Sequence, residues 1–316
     1  MPVRLDPLAT DLEASHRLGR CAATTRAGES RESEGWVRAL EQRLAGGTVT
    51  GRLYVVDGRP TGFVSWTPGG PVGASVELLY VAPGSSDPED YARILAAVET
   101  EVGPVAFVPG PLAGLAPGAE ERLMRGLGYR RYGRSEMVLG DDAPDLDPPA
   151  EPGERLREVQ RTDLPALAEL HRRAYRDSFD RYLFLEFTDE HADALREVEE
   201  IVDGRWGEFL AEGSWVAERG GRPVGSVLSV RGTTGGLIAD VMVDPDLQGH
   251  GVGRRVLATA AGAMRRAGVP RIYLNVTEGN DRAIRLYRRL GFVRSLGPTH
   301  DWYNARRIPV APSPDA

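Results

Sequence analysis

Apolar and polar positions alternate with two periods along this chain, and the order in which the periods change predicts strands and helices in one mixed fold. In the second half, Leu164–Arg173 carries apolar residues at helical spacing directly after Thr162-Asp163, which suits a helix start. Thr188–Leu210 continues as helix, with Leu195, Val198, Ile201 and Val202 on one face. Trp215–Ala217 and Val224–Val230 flank Gly220-Gly221 and predict a hairpin. Leu237–Val243 then reads as a strand, Gly253–Ala267 as a helix, Arg271–Val276 as a strand and Arg282–Leu290 as a last helix. This order predicts an α/β or α+β domain, a mixed central sheet flanked by helices.

The first half repeats the second. Gly58-Arg59-Pro60-Thr61-Gly62-Phe63-Val64 matches Gly221–Val227 in five of seven positions at an offset of 163. Val81-Ala82-Pro83 matches Val243-Asp244-Pro245, and Leu127-Gly128-Tyr129 matches Leu290-Gly291-Phe292. Three collinear matches imply two tandem copies of one fold. Between them, residues 141–153 are acidic, rich in Pro and Gly and without periodicity, so they read as a linker. The expected division is therefore 1–140, a linker over 141–153, and 154–316.

Composition narrows the chemistry. The 316 residues hold 39 Arg and no Lys, which removes Schiff-base lysines and lysine-dependent phosphate loops. The single Cys21 excludes an internal disulfide and a cysteine-based zinc cluster, and the five histidines show no metal-ligand spacing, so no metal is expected. A net charge of −7 argues against nucleic acid as a partner. No apolar run reaches the ~20 residues of a membrane span, and residues 1–10 lack a signal-peptide core; the expectation is a cytoplasmic protein with no membrane partner.

The stretch Met242-Val243-Asp-Pro-Asp-Leu-Gln248-Gly249-His250-Gly251-Val252-Gly253-Arg254 runs from a strand through a glycine-rich turn into a helix. Glycines at alternate positions remove side chains that would hold a bulky anion away from the backbone, and the helix start offers unpaired N–H groups and a positive dipole end. From Gln248 to Arg294 there are ten Arg against two acids, a local balance of +8 in an acidic chain. Arg254 and Arg255 in the first helical turn run against the preference for acids there, a conflict that a bound anion would resolve. The alternative is a solvated basic face on a tight strand-to-helix turn.

Gln248-x-x-Gly251-x-Gly253 after the Val-x-Pro strand end, followed by Asn280-x-x-Ala283-x-x-x-Tyr287-x-x-Leu290-Gly291-Phe292, resembles the acetyl-CoA site of the GNAT N-acetyltransferase superfamily, over roughly 156–303. The resemblance implies two tandem GNAT-like domains, acetyl-CoA as cosubstrate, and direct attack by a primary amine of a small molecule or peptide on the thioester. It places the cofactor against Met242, Val243, Gln248, Gly249, His250, Gly251, Val252, Gly253, Arg254, Asn275, Asn280, Ala283 and Tyr287. In the family this tyrosine often protonates the leaving thiolate, and Asp240 falls where many members carry a glutamate that accepts the amine's proton through water. Each has a plainer reading: Tyr287 as a core aromatic, Asp240 as a charge that orders a loop or holds a substrate cation. Asn280 caps the last helix, bonds the pantetheine arm, or both. The ring of His250 is expected to face solvent. A monomer or homodimer suffices for this chemistry.

In the first copy, Gln248, Gly249, Gly251 and Gly253 align with Ser86, Asp87, Glu89 and Tyr91, and Asp240 with Leu78. That copy is expected to keep the fold and bind no CoA by this route. The layout also resembles the mycothiol synthases, tandem enzymes whose first copy keeps a recognisable CoA turn. An alternative to an enzyme is a catalytically silent CoA-binding regulatory protein. For the acceptor, Phe179–Phe187 with Glu186 and Asp189 reads as an aromatic wall for a cationic amine or as an interface with the first copy. Thr299–Asn304 is expected to complete the second sheet and close one side of the pocket.

Overall fold

The computed structural model describes residues 3–8, 11–27, 42–47, 49–70, 72–82, 87–144, 146, 148–183, 191–232 and 234–309. The chain divides into two compact units, Met1–Gly133 with Thr299–Ala311, and Arg134–Pro298. No described helix is long and apolar enough to cross a membrane.

The first unit contains β1 (Val3–Pro7), α1 (Leu12–Ala27), β2 (Thr50–Val56), β3 (Arg59–Gly70), β4 (Gly73–Val81), α2 (Pro88–Val102), β5 (Val105–Pro109) and α3 (Pro117–Gly126). β1 to β4 pair antiparallel in sequence order, and β5 joins β4 in parallel. Trp66, Tyr91, Ile94, Val98 and Trp302 pack in one of its cores. Trp302 belongs to β13 (Phe292–Asn304), of which Asp301–Tyr303 pair antiparallel with β5.

The second unit repeats this order. β7 (Glu154–Glu158), α4 (Leu164–Tyr175), α5 (His191–Val202), β8 (Glu208–Phe209), β9 (Trp215–Arg219), β10 (Arg222–Arg231) and β11 (Gly236–Val243) lead to α6 (Val252–Arg266), β12 (Ile272–Thr277) and α7 (Asp281–Arg289). β9, β10 and β11 pair antiparallel, and β12 runs parallel to β11. The sheet is extended past β12 by Arg134–Val138 of β6 (Tyr129–Leu139). One face packs against α4 and α5 through Leu167, Leu170, Val198, Leu228 and Met242. The other packs against α6 through Val227, Ile238, Val256 and Ala260. Fully burying each of the Leu, Val, Ile and Met side chains among these stabilises by roughly 1.5–3 kcal/mol.

Four expectations shift. The helix expected over 188–210 begins in the described residues at His191 and stops at Val202, because Asp203-Gly204 turns the chain with Gly204 at φ +90, and Glu208–Phe209 is a strand. The 141–153 stretch is not a free tether: Leu146 is 5 % exposed and packs in the core of the second unit. At the edges of the 1–140 and 154–316 division, strand pairing assigns 134–138 to the second unit and 301–303 to the first. Within Thr299–Asn304, expected to complete the second sheet, Asp301–Tyr303 pair instead with β5 of the first unit.

Candidate active site

The site arises from a local failure of pairing. β11 and β12 pair only from Gly236–Ile272 to Ile238–Leu274, and beyond that point the two parallel strands splay. A cleft of about 710 Å³ opens between them, within the range of small-ligand sites. Opposite the splay, the pairing of β11 with β10 steps from Ile238–Ser229 to Asp240–Leu228, so Ala239 is an extra residue in the ladder. A bulge reverses which face the following residues meet. Ile238 packs toward α6, and strict alternation would send Asp240 the same way. Instead Asp240 turns toward α4, where the Tyr175 hydroxyl donates to its Oδ1 at 2.5 Å.

At one end of the cleft, α6 begins without a side-chain cap. Its N-cap is Gly251 at φ +81, and Gly249 is at φ +83, both in the left-handed region that side chains disfavour. A Cβ on Gly253 would sit 3.0 Å from Val243 Cγ2, so the turn also lies tight on the strand end. Gln248 Nε2 donates to Val243 O at 3.3 Å, and Arg282 bonds Gln248 Oε1, which fixes the turn against α7. Arg254, Arg282, Arg285 and Arg289 line the cleft, and none pairs with a carboxylate among the described residues. Uncapped N–H groups beside unpaired guanidinium groups suit a multiply charged anion.

Toward the other end stand Asp240, 7 % exposed, and Tyr287, 8 % exposed. Burial, with Asp180 and Asp240 nearby, pushes the Tyr287 phenol well above its ordinary pKa, so it keeps its proton at neutral pH. Tyr175 is pushed up likewise, by burial and by the Asp240 carboxylate that it serves as donor. Asn280, Ala283 and Tyr287 share one face of α7 through their three- and four-residue spacing, and all three line the cleft. Asn280 Oδ1 accepts from Ala283 N at 3.2 Å, so its cap role is present.

The Acetyltransferase (GNAT) family matches residues 164–292, from the start of α4 to the start of β13. The second unit is a GNAT acetyltransferase domain. The chain is similar to the mycothiol acetyltransferase of Geodermatophilus obscurus, 29% identical over 95% of this chain and 99% of that protein. The match to the mycothiol acetyltransferase of Thermomonospora curvata is 40% identical but spans 27% of this chain and 29% of that protein. Among solved structures, a GCN5-related N-acetyltransferase from Sphaerobacter thermophilus covers 95% of this chain and 94% of its own at 22% identity and a TM-score of 0.65. A tandem GNAT protein from the clavulanic acid biosynthesis pathway covers 95% and 98% at 19% identity and a TM-score of 0.57. The fold is thus a tandem GNAT fold.

Within the GNAT unit, Asp240, Val243, Gln248, Gly249, Gly251, Gly253, Arg254, Asn275, Asn280, Ala283 and Tyr287 all line the cleft. Three expected residues do not. Met242 and Val252 are fully buried, in the cores toward α4 and α6 respectively, and His250 is exposed with Nδ1 3.1 Å from Gln248 O. Arg255 also departs from expectation. It turns inward, 7 % exposed, and pairs with Glu154 through Nε–Oε1 at 2.6 Å and Nη2–Oε2 at 2.8 Å, so a protein carboxylate rather than a bound anion resolves its conflict with the helix dipole. Arg219 shares Glu154 at 3.1 Å, and the two guanidinium groups, Arg255 foremost, hold its carboxyl below the ordinary range. Of the aromatic wall, Phe179 is buried and Arg181 stacks on Tyr182, while Phe184–Phe187, Glu186 and Asp189 lie outside the described residues. Tyr175 and His171 were missed by the sequence reading. Their i, i+4 spacing on α4 was the available signal.

Proposed function

We propose that the second unit transfers an acetyl group from acetyl-CoA to a primary amine by direct attack. The observation that carries this reading is the arginine-lined cleft itself: an uncapped helix start at one end, and Asp240 and Tyr287 at the other, between splayed strands. The backbone N–H groups of the 248–253 turn would hold the pyrophosphate, each such bond contributing roughly 1.5–3 kcal/mol. Asn275 on β12, just past the point where pairing with β11 ends, would bond the pantetheine amides. Bound there, acetyl-CoA would supply the thioester carbonyl that is attacked and the thiolate that leaves.

The residues then divide the proton work. An aliphatic ammonium, with a pKa of about 10, must lose a proton before its nitrogen can attack, and Asp240 would accept that proton directly or through one water. Tyr287, kept protonated by burial, would give its proton to the leaving sulfur. The first unit supports the assignment by contrast. Its α2 starts with Asp87, whose side chain accepts from Glu89 N at 2.9 Å, and has Pro88 in the first turn, which offers no N–H. Tyr91 and Leu78, aligned with Gly253 and Asp240, are buried core residues. We assign acetyl-CoA to the second unit alone.

The test is CoA release with a panel of amines that includes amino sugars, peptides and the cysteinyl-sugar acceptor suggested by likeness to mycothiol acetyltransferases. Transfer to at least one amine is expected. Saturable acetyl-CoA binding with transfer to none would replace the enzyme by a binding module.

A further inference from the structure

A second cavity of about 90 Å³, room for about three waters, shares Tyr175, Asp240 and Asn275 with the main cleft. His171 from α4 and Glu197 from α5 line it on the other side. His171 is 1 % exposed, and its Nε2 lies 3.6 Å from Asp240 Oδ2, within ion-pair range though longer than a hydrogen bond. Asp240 is thus gripped asymmetrically. Oδ1 takes the Tyr175 hydroxyl, while Oδ2 takes no hydrogen bond from a described residue. The His171 and Tyr175 rings lie 4.9 Å apart and fix the imidazole beside the carboxylate.

An imidazole is a second proton acceptor beside the carboxylate, so the proton of the ammonium can be held on either group. Burial holds the His171 imidazole below its ordinary pKa, with the Asp240 charge in partial opposition, so the ring is neutral at rest and able to accept a proton and release it again. The charged groups that face the same cavity are Glu197 from α5 and Arg134 from β6.

We infer that His171 and Asp240 form a proton-accepting pair, in which the proton lost by the acceptor amine passes by way of Asp240 and cavity water to His171 Nε2. This rests on the acetyl-transfer reading above. An N–H bond of the ammonium breaks and an N–H bond on the imidazole forms. The amine keeps the electron pair with which it attacks, and the imidazolium releases to solvent the one proton that the overall reaction yields. His171 acts through Asp240 and is a positioning residue with a proton to hold.

His171→Gln keeps bulk and polarity but cannot hold the proton. At pH 7 its kcat/KM for the amine should fall about 100-fold with acetyl-CoA affinity unchanged, and the loss should shrink about tenfold per pH unit as the amine loses its own proton nearer pH 10. A loss that is the same at every pH marks a structural role and overturns the inference, as does no loss. A readout independent of turnover is the His171 imidazole titration by NMR, whose midpoint should drop in Asp240→Asn; an unmoved midpoint also overturns it. Absence of transfer from the wild type to every amine would instead remove the acetyl-transfer reading, an outcome that neither the pH profile nor the NMR result can mimic.

Discussion

Replacing Gly249 by Asp tests the anion cradle with little steric interference. A Cβ at this position meets no heavy atom within 4 Å, so the change adds charge without a clash. The residue is at φ +83, and Asp and Asn tolerate that conformation better than other side chains, at a cost of about 1–2 kcal/mol. Gly249→Asn therefore carries the same strain and shape with no charge. If two phosphate charges sit about 6 Å from the new carboxylate, an effective dielectric of about 20–80 gives a repulsion of about 1.4–5.5 kcal/mol. Acetyl-CoA affinity should fall by roughly 10- to 10⁴-fold in the Asp variant relative to Asn. Calorimetry at about 0.1 M and 1 M salt should show the difference shrinking as the Debye length drops from about 10 to 3 Å. Equal affinities for Asp and Asn variants, or an Asp variant within threefold of wild type, would refute the cradle at 248–253.

Tyr287→Phe should lower kcat about 10- to 100-fold while the acetyl-CoA dissociation constant stays unchanged, because a thiolate leaves without the proton, only more slowly; steady-state kinetics with unchanged kcat would remove the acid role. Glu154→Gln should cost about 1.5–3 kcal/mol in urea unfolding, since it removes the buried carboxylate shared by Arg255 and Arg219 and leaves Arg255 only the exposed Glu151 at 3.4 Å. Glu154 is held below the ordinary carboxylate range, so the stability it supplies is full above about pH 4.3 and is lost as pH falls through its folded-state value; the Gln variant should lack that acid-dependent part in thermal scans from pH 7 to 3. Binding of acetyl-CoA should saturate at one equivalent per chain, and a second equivalent would show that the capped helix of the first unit does not exclude it.

What could be read from the sequence followed regular periodicity and backbone chemistry. The turn of glycines at 249, 251 and 253 declared an exposed helix start, and the Asn280, Ala283, Tyr287 spacing declared one helix face; these residues meet in one cleft. What escaped reading depends on departures from regularity. The extra residue at Ala239 has no mark in an apolar strand, yet it turns Asp240 from the α6 face to the α4 face and so selects Tyr175 and His171 as its neighbours. The Asp203-Gly204 turn was present in the sequence, but an apolar stripe that continued past it masked the stop. Glu154 looked like part of a polar stretch, and only the fold shows that its side chain is fully buried between two arginines.

The same element, the helix that follows β4 in one unit and β11 in the other, has met its terminal requirement in opposite ways. Every helix start leaves N–H groups that need partners. In the first unit Asp87 and Pro88 satisfy or remove some of them internally. In the second, glycine at the N-cap forgoes a side-chain cap at a cost of a few tenths of a kcal/mol, and Arg254 in the first turn adds unfavourable charge. Neither feature adds to the stability of the empty fold, and both lie beside an arginine-lined cleft. An anion bound at that site offsets both at once. The uncapped start in one unit and the capped start in the other thus form the strongest physical argument that the ligand site is in the second unit.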